Sequence, residues 1–282
     1  MAKGILGIIA CPMLDDNLVY SLSNDPEEKT VAVVDNPYNT SIRRKLEEKG
    51  VAYETIAWDD FVSGMYTPDR DRFNVVIVMI NLGLHAVPEK LKGLVEDMTR
   101  DISPHVDAFG FYLGTCGNYE WNLPAWCKEN GLKPATTFFD GEGHLCHDCV
   151  GVAISGGPRY LELQHKYMGH LYIFPAMATN FDEFMEADSA GSSMPMESLT
   201  DDMREALGIE PGRDGYLRWL LGLGGYEYIL RLDTGLGDKE QFDRDIQRVA
   251  DRTHLKIKQA EDGWATIQPT IDMYDRCKAL LS

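Results

Sequence analysis

The chain has 282 residues, 44% of them hydrophobic and 26% charged, the balance of an ordinary globular protein with a sizeable core. Its 45 acidic residues against 27 basic ones give a formal charge of −18, which excludes a broad nucleic-acid or anionic-membrane surface built from clustered Lys and Arg. No apolar run approaches the ~20 residues of a membrane span. The opening MAKGILGIIAC lacks a small-residue cleavage site and reads as a buried strand, not as a signal peptide. A cytoplasmic location is therefore expected. There the six cysteines stay reduced and are ligands or reactive groups before they are disulfides.

Residues 5–11 (ILGIIAC) form a continuous apolar run stopped by Pro12, the pattern of a strand buried on both faces. A helix is expected from about Asn17, then a second buried strand at 30–34 (TVAVV). An amphipathic helix over 41–49 stops at Gly50, and a short strand lies near 53–56. Residues 74–80 (NVVIVMI) are the strongest strand pattern in the chain, followed by 81–85 and a helix that Pro88 opens. A further strand at 108–113 ends in Gly114-Thr115-Cys116-Gly117-Asn118.

Helix and strand alternate at short spacing through this first half, which predicts an α/β fold. The sheet should be doubly wound, mainly parallel and Rossmann-like, and two similar halves could meet at the site. In the second half, helices are expected at 158–168, 180–186, 215–223 and 239–253 and from about 267, with strands at 170–174, 227–232 and 255–259. Residues 187–214, rich in Ser, Asp, Met, Gly and Pro, read as an irregular insertion or lid. No repeat or linker divides the chain, so residues 1–282 are expected to pack as one unit.

The densest chemistry lies at 143–157 (GHLCHDCVGVAISGG), where Cys146 and Cys149 enclose His147 and Asp148. These groups suit borderline-soft metals or an activated thiol, although a single CxxC also fits small buried cysteines in a turn. Ligands of open parallel sheets sit outside the carboxyl ends of the strands. By that rule Cys11, His85, Cys116 and Cys149 follow strands at one end of one sheet and can meet in space. Cys127 and Cys277 lie off this pattern.

Three thiolates and an imidazole match tetrahedral zinc. Four cysteines, with Cys146 replacing His85, would match an iron–sulfur cluster, but the dispersal of the ligands over separate loops favours zinc. His147 and Asp148 are alternate ligands or groups that orient them. A glycine-rich phosphate cradle at 151–157 lacks the Lys-Ser/Thr ending of a phosphate-binding loop.

The segments IIACPMLDDNL, NLGLHAVPEKL, GFYLGTCGN, CHDCVGVAISGG and YILRLDTGL, in this order, resemble the domain-of-unknown-function sixteen-thirty-eight family over about residues 5–275. Its recurring positions map onto Cys11, His85, Cys116 with Gly117 and Asn118, Asp148 with Cys149, and Asp233-Thr234-Gly235. Cys146 and His147 are less characteristic of it. The family occurs in methanogens and anaerobes, beside corrinoid-dependent methylamine methyltransferases.

The resemblance therefore implies one-carbon metabolism, methanogenesis included, with a corrinoid protein or methyltransferase as partner. A methyl-group transferase acting on a small thiol or methylated amine is the leading expectation. In it Asp148 and Asp233 serve as proton-transferring or substrate-orienting carboxylates, although both also suit caps and turns. Gly117, Asn118, Gly156, Gly157 and Thr234 would frame a ligand pocket, and a homo-oligomer is compatible with this reading. The rivals are a non-catalytic metal- or corrinoid-binding accessory protein and an iron–sulfur or thiol redox protein. The chain lacks a D-x-H-x-x-G corrinoid-ligand motif.

Overall fold

A computed structural model describes residues 1–118, 121–191 and 196–282. The first half runs β1 (Gly4–Ala10), α1 (Asp15–Asn24), β2 (Lys29–Val34), α2 (Thr40–Glu48), β3 (Glu54–Ile56), α3 (Trp58–Val62), β4 (Phe73–Met79), α4 (Pro88–Ile102), β5 (Ala108–Tyr112), α5 (Leu123–Glu129) and β6 (Ala135–Thr136). Its six strands form one all-parallel sheet in the order β3-β2-β4-β1-β5-β6. The expected Rossmann-like, doubly wound α/β architecture is present.

Continuous apolar strands need cover on both faces. Leu6 and Ile8 of β1 pack with Leu18 of α1, Ile42 of α2 and Met273 near the C-terminus. On the other face Ile5 and Ile9 join Val95 of α4 and Leu123 of α5.

The second half contains α6 (Cys149–Ile154), α7 (Gly157–Lys166), β7 (His170–Ile173), α8 (Pro175–Thr179), α9 (Phe181–Gly191), α10 (Asp201–Ala206), α11 (Gly212–Leu223), β8 (Tyr228–Arg231), α12 (Lys239–Thr253), β9 (Lys256–Gln259) and α13 (Gln268–Ala279). Its strands make a smaller parallel sheet in the order β7-β8-β9, so the two halves are unequal, six strands against three. Ile173, Ile229 and Leu230 of this sheet belong to the same apolar cluster as Ile9 and Phe109 of the first. Helix α13 returns to the first sheet, where Asn17 donates to Thr270 (2.7 Å).

Residues 187–214, expected to be irregular, carry α10 and parts of α9 and α11 among the described residues, while 192–195 lie outside them. Thr200 caps α10 by accepting from Met203 N at 3.2 Å. The polar composition there conceals a helix start of ordinary chemistry.

Register sets the level of the strand ends. Ala10, the last residue of β1, pairs with Met79 of β4 on one side and Tyr112 of β5 on the other. The loops leaving these adjacent strands therefore start side by side. Just beyond lies a buried charge cluster, in which Lys45 Nζ stands 2.6 Å from both Asp15 Oδ1 and Asp16 Oδ1.

Burial raises the Asp16 pKa and Lys45 opposes that rise. Ionising Asp16 thus costs stability as pH climbs above the ordinary carboxylate value toward its raised one, and the cost deepens without the ammonium. Lys45→Met is expected to lower the unfolding free energy by roughly 3–5 kcal/mol at pH 7. At pH 5, where Asp16, its pKa raised by burial, takes up a proton more readily once the ammonium is gone, the loss should be smaller. Urea denaturation at the two pH values checks this, and equal losses would refute it.

Candidate functional site

Three loops leave the aligned ends of β4, β1 and β5, and each carries one of the residues picked out at the strand ends. Cys11 N donates to Tyr112 O (2.9 Å), extending the ladder by one residue before Pro12 turns the chain. His85 lies in a short 3-10 turn, Leu82–Ala86, that Asn81 starts by accepting from Gly83 N at 2.8 Å. Its ring stacks on Phe184 of α9, with centroids 4.2 Å apart and planes within 10°. Cys116 sits in left-handed backbone at φ 43°, a conformation non-glycine residues adopt only when the surroundings hold them there.

The holding group is the carbonyl of His147. It accepts from Thr115 N (2.7 Å), Thr115 Oγ1 (2.9 Å) and Cys116 N (3.3 Å), tying the loop after β5 to the loop before α6. Gly114 makes the approach possible. A Cβ there would stand 2.8 Å from Asp148 Cα and 2.9 Å from His147 O. Asp148 then caps α6, its Oδ1 accepting from Gly151 N at 2.6 Å, and Cys149 follows as the first helical residue. The glycine-rich run is a helix stop, with left-handed Ser155 and Gly156 between α6 and α7, and not a phosphate cradle.

Cys11, His85, Cys116, Gly117, Asp148 and Cys149 line one cavity of about 600 Å³. Burial pushes the Cys116 thiol up to about 12, with the Asp148 charge adding to it. The Cys11 and Cys149 thiols are also pushed up, first by burial. Cys116 adds to the rise at Cys11, and Asp148, Cys116 and Cys11 add to it at Cys149. Thiols that disfavour one another's ionisation in this way suit a cation, which reverses the balance by binding thiolate. Their chemistry fits a zinc donor set. Even so, among the described residues no group of three or more His, Cys, Asp and Glu side chains is arranged to hold a metal ion as it stands.

The other singled-out residues do not line this cavity. Cys146 is buried in the opposite apolar cluster, its N donating to Phe138 O (3.0 Å), which separates the two halves of the CxxC pattern. Asn118 spends its amide on Pro88 O (2.7 Å) and Thr115 O (3.1 Å), bracing the loop. Gly156 admits Asp140, whose Oδ2 would lie 2.5 Å from a Cβ there, and Gly157 opens α7. Asp233 accepts from Gly235 N (3.2 Å) in an exposed turn. Thr234 borders a separate small cavity that Cys149 also reaches. Cys127 and Cys277 are core residues.

Sequence reasoning missed the aromatic part of the lining. Tyr160 and Gln164 of α7, His170 and Tyr172 of β7, Phe184 of α9 and Tyr226 before β8 line the same cavity as the thiols. They come from separate elements, so no spacing in the chain marks them. Their one signal is that tyrosines recur near the starts and ends of the second-half elements.

The fold and cavity define an α/β protein with a thiol-lined pocket at the carboxyl edge of a doubly wound sheet. The family model described as Protein of unknown function (DUF1638) matches residues 79–271, and the chain belongs to that family. The match spans His85, Cys116, Asp148, Cys149 and the tyrosine wall, with Cys11 before it. No curated protein and no solved structure matches the chain.

Gly114 tests the coupling of the two loops. Its φ lies outside the left-handed range, so alanine meets only the contact penalty. Gly114→Ala is expected to cost about 1–3 kcal/mol by overpacking. Gly157→Ala, with nothing within 4 Å of its Cβ, should be near neutral. Thermal unfolding of both variants checks the contrast, and a silent Gly114→Ala would contradict the close packing.

Proposed function

We propose that the cavity is a metal-thiolate site, for zinc, in an enzyme of one-carbon metabolism that transfers a methyl group to or from a small thiol or a methylated amine. The observation that carries this reading is the convergence of Cys11, Cys116 and Cys149 from separate segments on one cavity. Cys11, Cys116 and Cys149 would hold the ion, with His85 closing or lining the site. The burial of Cys146 elsewhere favours this set over a four-cysteine iron–sulfur cluster. Cys11 and Cys116 follow strands that end at one level, and Cys149 opens α6 beside the Cys116 loop that the His147 carbonyl holds, so the three reach the cavity from neighbouring segments.

Zinc bound there supplies Lewis acidity that three thiolates moderate, while a coordinated substrate thiol stays nucleophilic. The chain's own groups do the rest. Asp148 faces the cavity and orients what enters it, Gln164 offers a carboxamide, and Leu82, Met177 and Leu221 keep water from the thiols. The methyl donor or acceptor is the corrinoid partner that the family resemblance implies. The six free cysteines and acidic surface fit a cytoplasmic protein.

Elemental analysis of anaerobically purified protein is expected to find zinc near one per chain. Cys149→Ser should lose it and Cys146→Ser should keep it, both remaining folded by circular dichroism. Methyl transfer from a methylated corrinoid protein to added thiols or amines should disappear in Cys149→Ser. A folded wild-type protein that binds no metal would overturn the reading. Tight corrinoid-protein binding without turnover would favour an accessory role instead.

A further inference from the structure

The proposed function leaves two substrate classes open, and the aromatic lining of the cavity discriminates between them. Among the described residues, no Lys or Arg lines the cavity, and its one carboxylate is Asp148. Three thiolates around a dication would add a net negative charge of one, whether or not a neutral imidazole joins them. Much of the rest of the lining is aromatic. Tyr160 and Tyr172 meet edge to face, ring centroids 6.2 Å apart and planes at 75°, so the two rings stand nearly perpendicular beside the cavity. Tyr226 adds a further ring to the lining, and Phe184, stacked on His85, adds another.

Burial, followed by the charge of Asp148 and the neighbouring Tyr172, pushes the Tyr160 phenol above its ordinary range, so the ring lines the cavity uncharged. His170 is engaged away from any ligand. Its Nδ1 lies 2.9 Å from the Met168 carbonyl and its Nε2 3.5 Å from Lys258 Nζ.

We propose that the cavity takes a small alkylated ammonium ion, its positive head held among the tyrosine rings within reach of the Asp148 carboxylate. Ring quadrupoles attract cations most strongly where water is excluded, and alkylated nitrogen, which holds its own water weakly, gains most from such a site. An anionic substrate gains nothing from the aromatic lining and meets the Asp148 carboxylate, and a neutral thiol gains only a weak sulfur–aromatic contact. At about 600 Å³ the cavity is larger than a bare tetramethylammonium ion, and Leu82, Met177 and Leu221 provide apolar lining for its carbon substituents.

The inference rests on the cavity being the substrate site and not on the metal. Isothermal titration calorimetry on the full-length protein, as purified and in the Cys149→Ser form, would use methylammonium, trimethylammonium, tetramethylammonium and choline as probes. The uncharged control is 3,3-dimethylbutanol, in which carbon replaces the choline nitrogen. At least one cation should bind, and choline should bind about tenfold or more tighter than its neutral isostere. Tyr160→Leu and Tyr172→Leu should each weaken binding by about 3–30-fold, whereas Tyr160→Phe should retain it.

Should a leucine variant unfold, the comparison of cation with isostere on unmodified protein still decides. Equal binding of choline and isostere, or no cation binding to folded protein, overturns the proposal even if zinc is present. Cation binding with no zinc found would overturn the metal reading alone.

Discussion

One carbonyl oxygen organises the site. His147 O receives hydrogen bonds from Thr115 N, Thr115 Oγ1 and Cys116 N, and these bonds join loops that lie about thirty residues apart in sequence. Without them Cys116 and Cys149 would sit on independent loops, free to diverge. With them, the left-handed backbone of Cys116 is over-determined, and a conformation that costs on the order of 1–3 kcal/mol persists. The same three bonds require Gly114, because any side chain there would occupy the space of the Asp148 backbone. A glycine, a strained cysteine and a helix cap are thus consequences of a single close contact.

The first sheet was legible because its strands are continuous apolar runs separated by capped or glycine-stopped helices. Residues 74–80 could hardly be anything but a central strand, and β4 lies third in a sheet of six. The position of Cys11, His85 and Cys116 followed from a geometric rule about strand ends, and register fulfils it. Ala10, Met79 and Tyr112 stand at one level, so the residues after them must share one end. What the rule could not supply was side-chain direction. Cys146 and Cys149 look like a unit on paper, but Cys146 belongs to an extended segment bonded to Phe138, and Cys149 starts a helix. Cys146 is therefore buried within one apolar cluster, while Cys149 lies between both clusters at the cavity.

The second half was less legible in what it gives the site than in its strands, which were expected at 170–174, 227–232 and 255–259 and are found at His170–Ile173, Tyr228–Arg231 and Lys256–Gln259. Its contribution to the cavity comes as single aromatic residues from α7, β7, α9 and the segment before β8. Such a wall exists only after the three-stranded sheet has docked on the first. The polar stretch around α10 hid a helix because a Thr200 cap followed by acidic residues resembles a loop by composition.

Asp233, Thr234 and Gly235 look catalytic in sequence, yet their geometry gives them another office. The turn follows β8 and folds on itself through Asp233 to Gly235 and Thr234 to Leu236 hydrogen bonds. Thr234 and Leu236 border a cavity of about 10 Å³, space for at most a single water, whose lining includes Cys149 and Asp16. Gly237 comes so close to Asp16 that a Cβ would lie 3.2 Å from its carboxylate oxygen. The turn therefore packs close to Cys149, around a small cavity separate from the large one, and ties the second sheet to the start of α1. A segment can recur in a family because it braces a reactive residue from behind, and its polar side chains are then consumed by the turn that does the bracing.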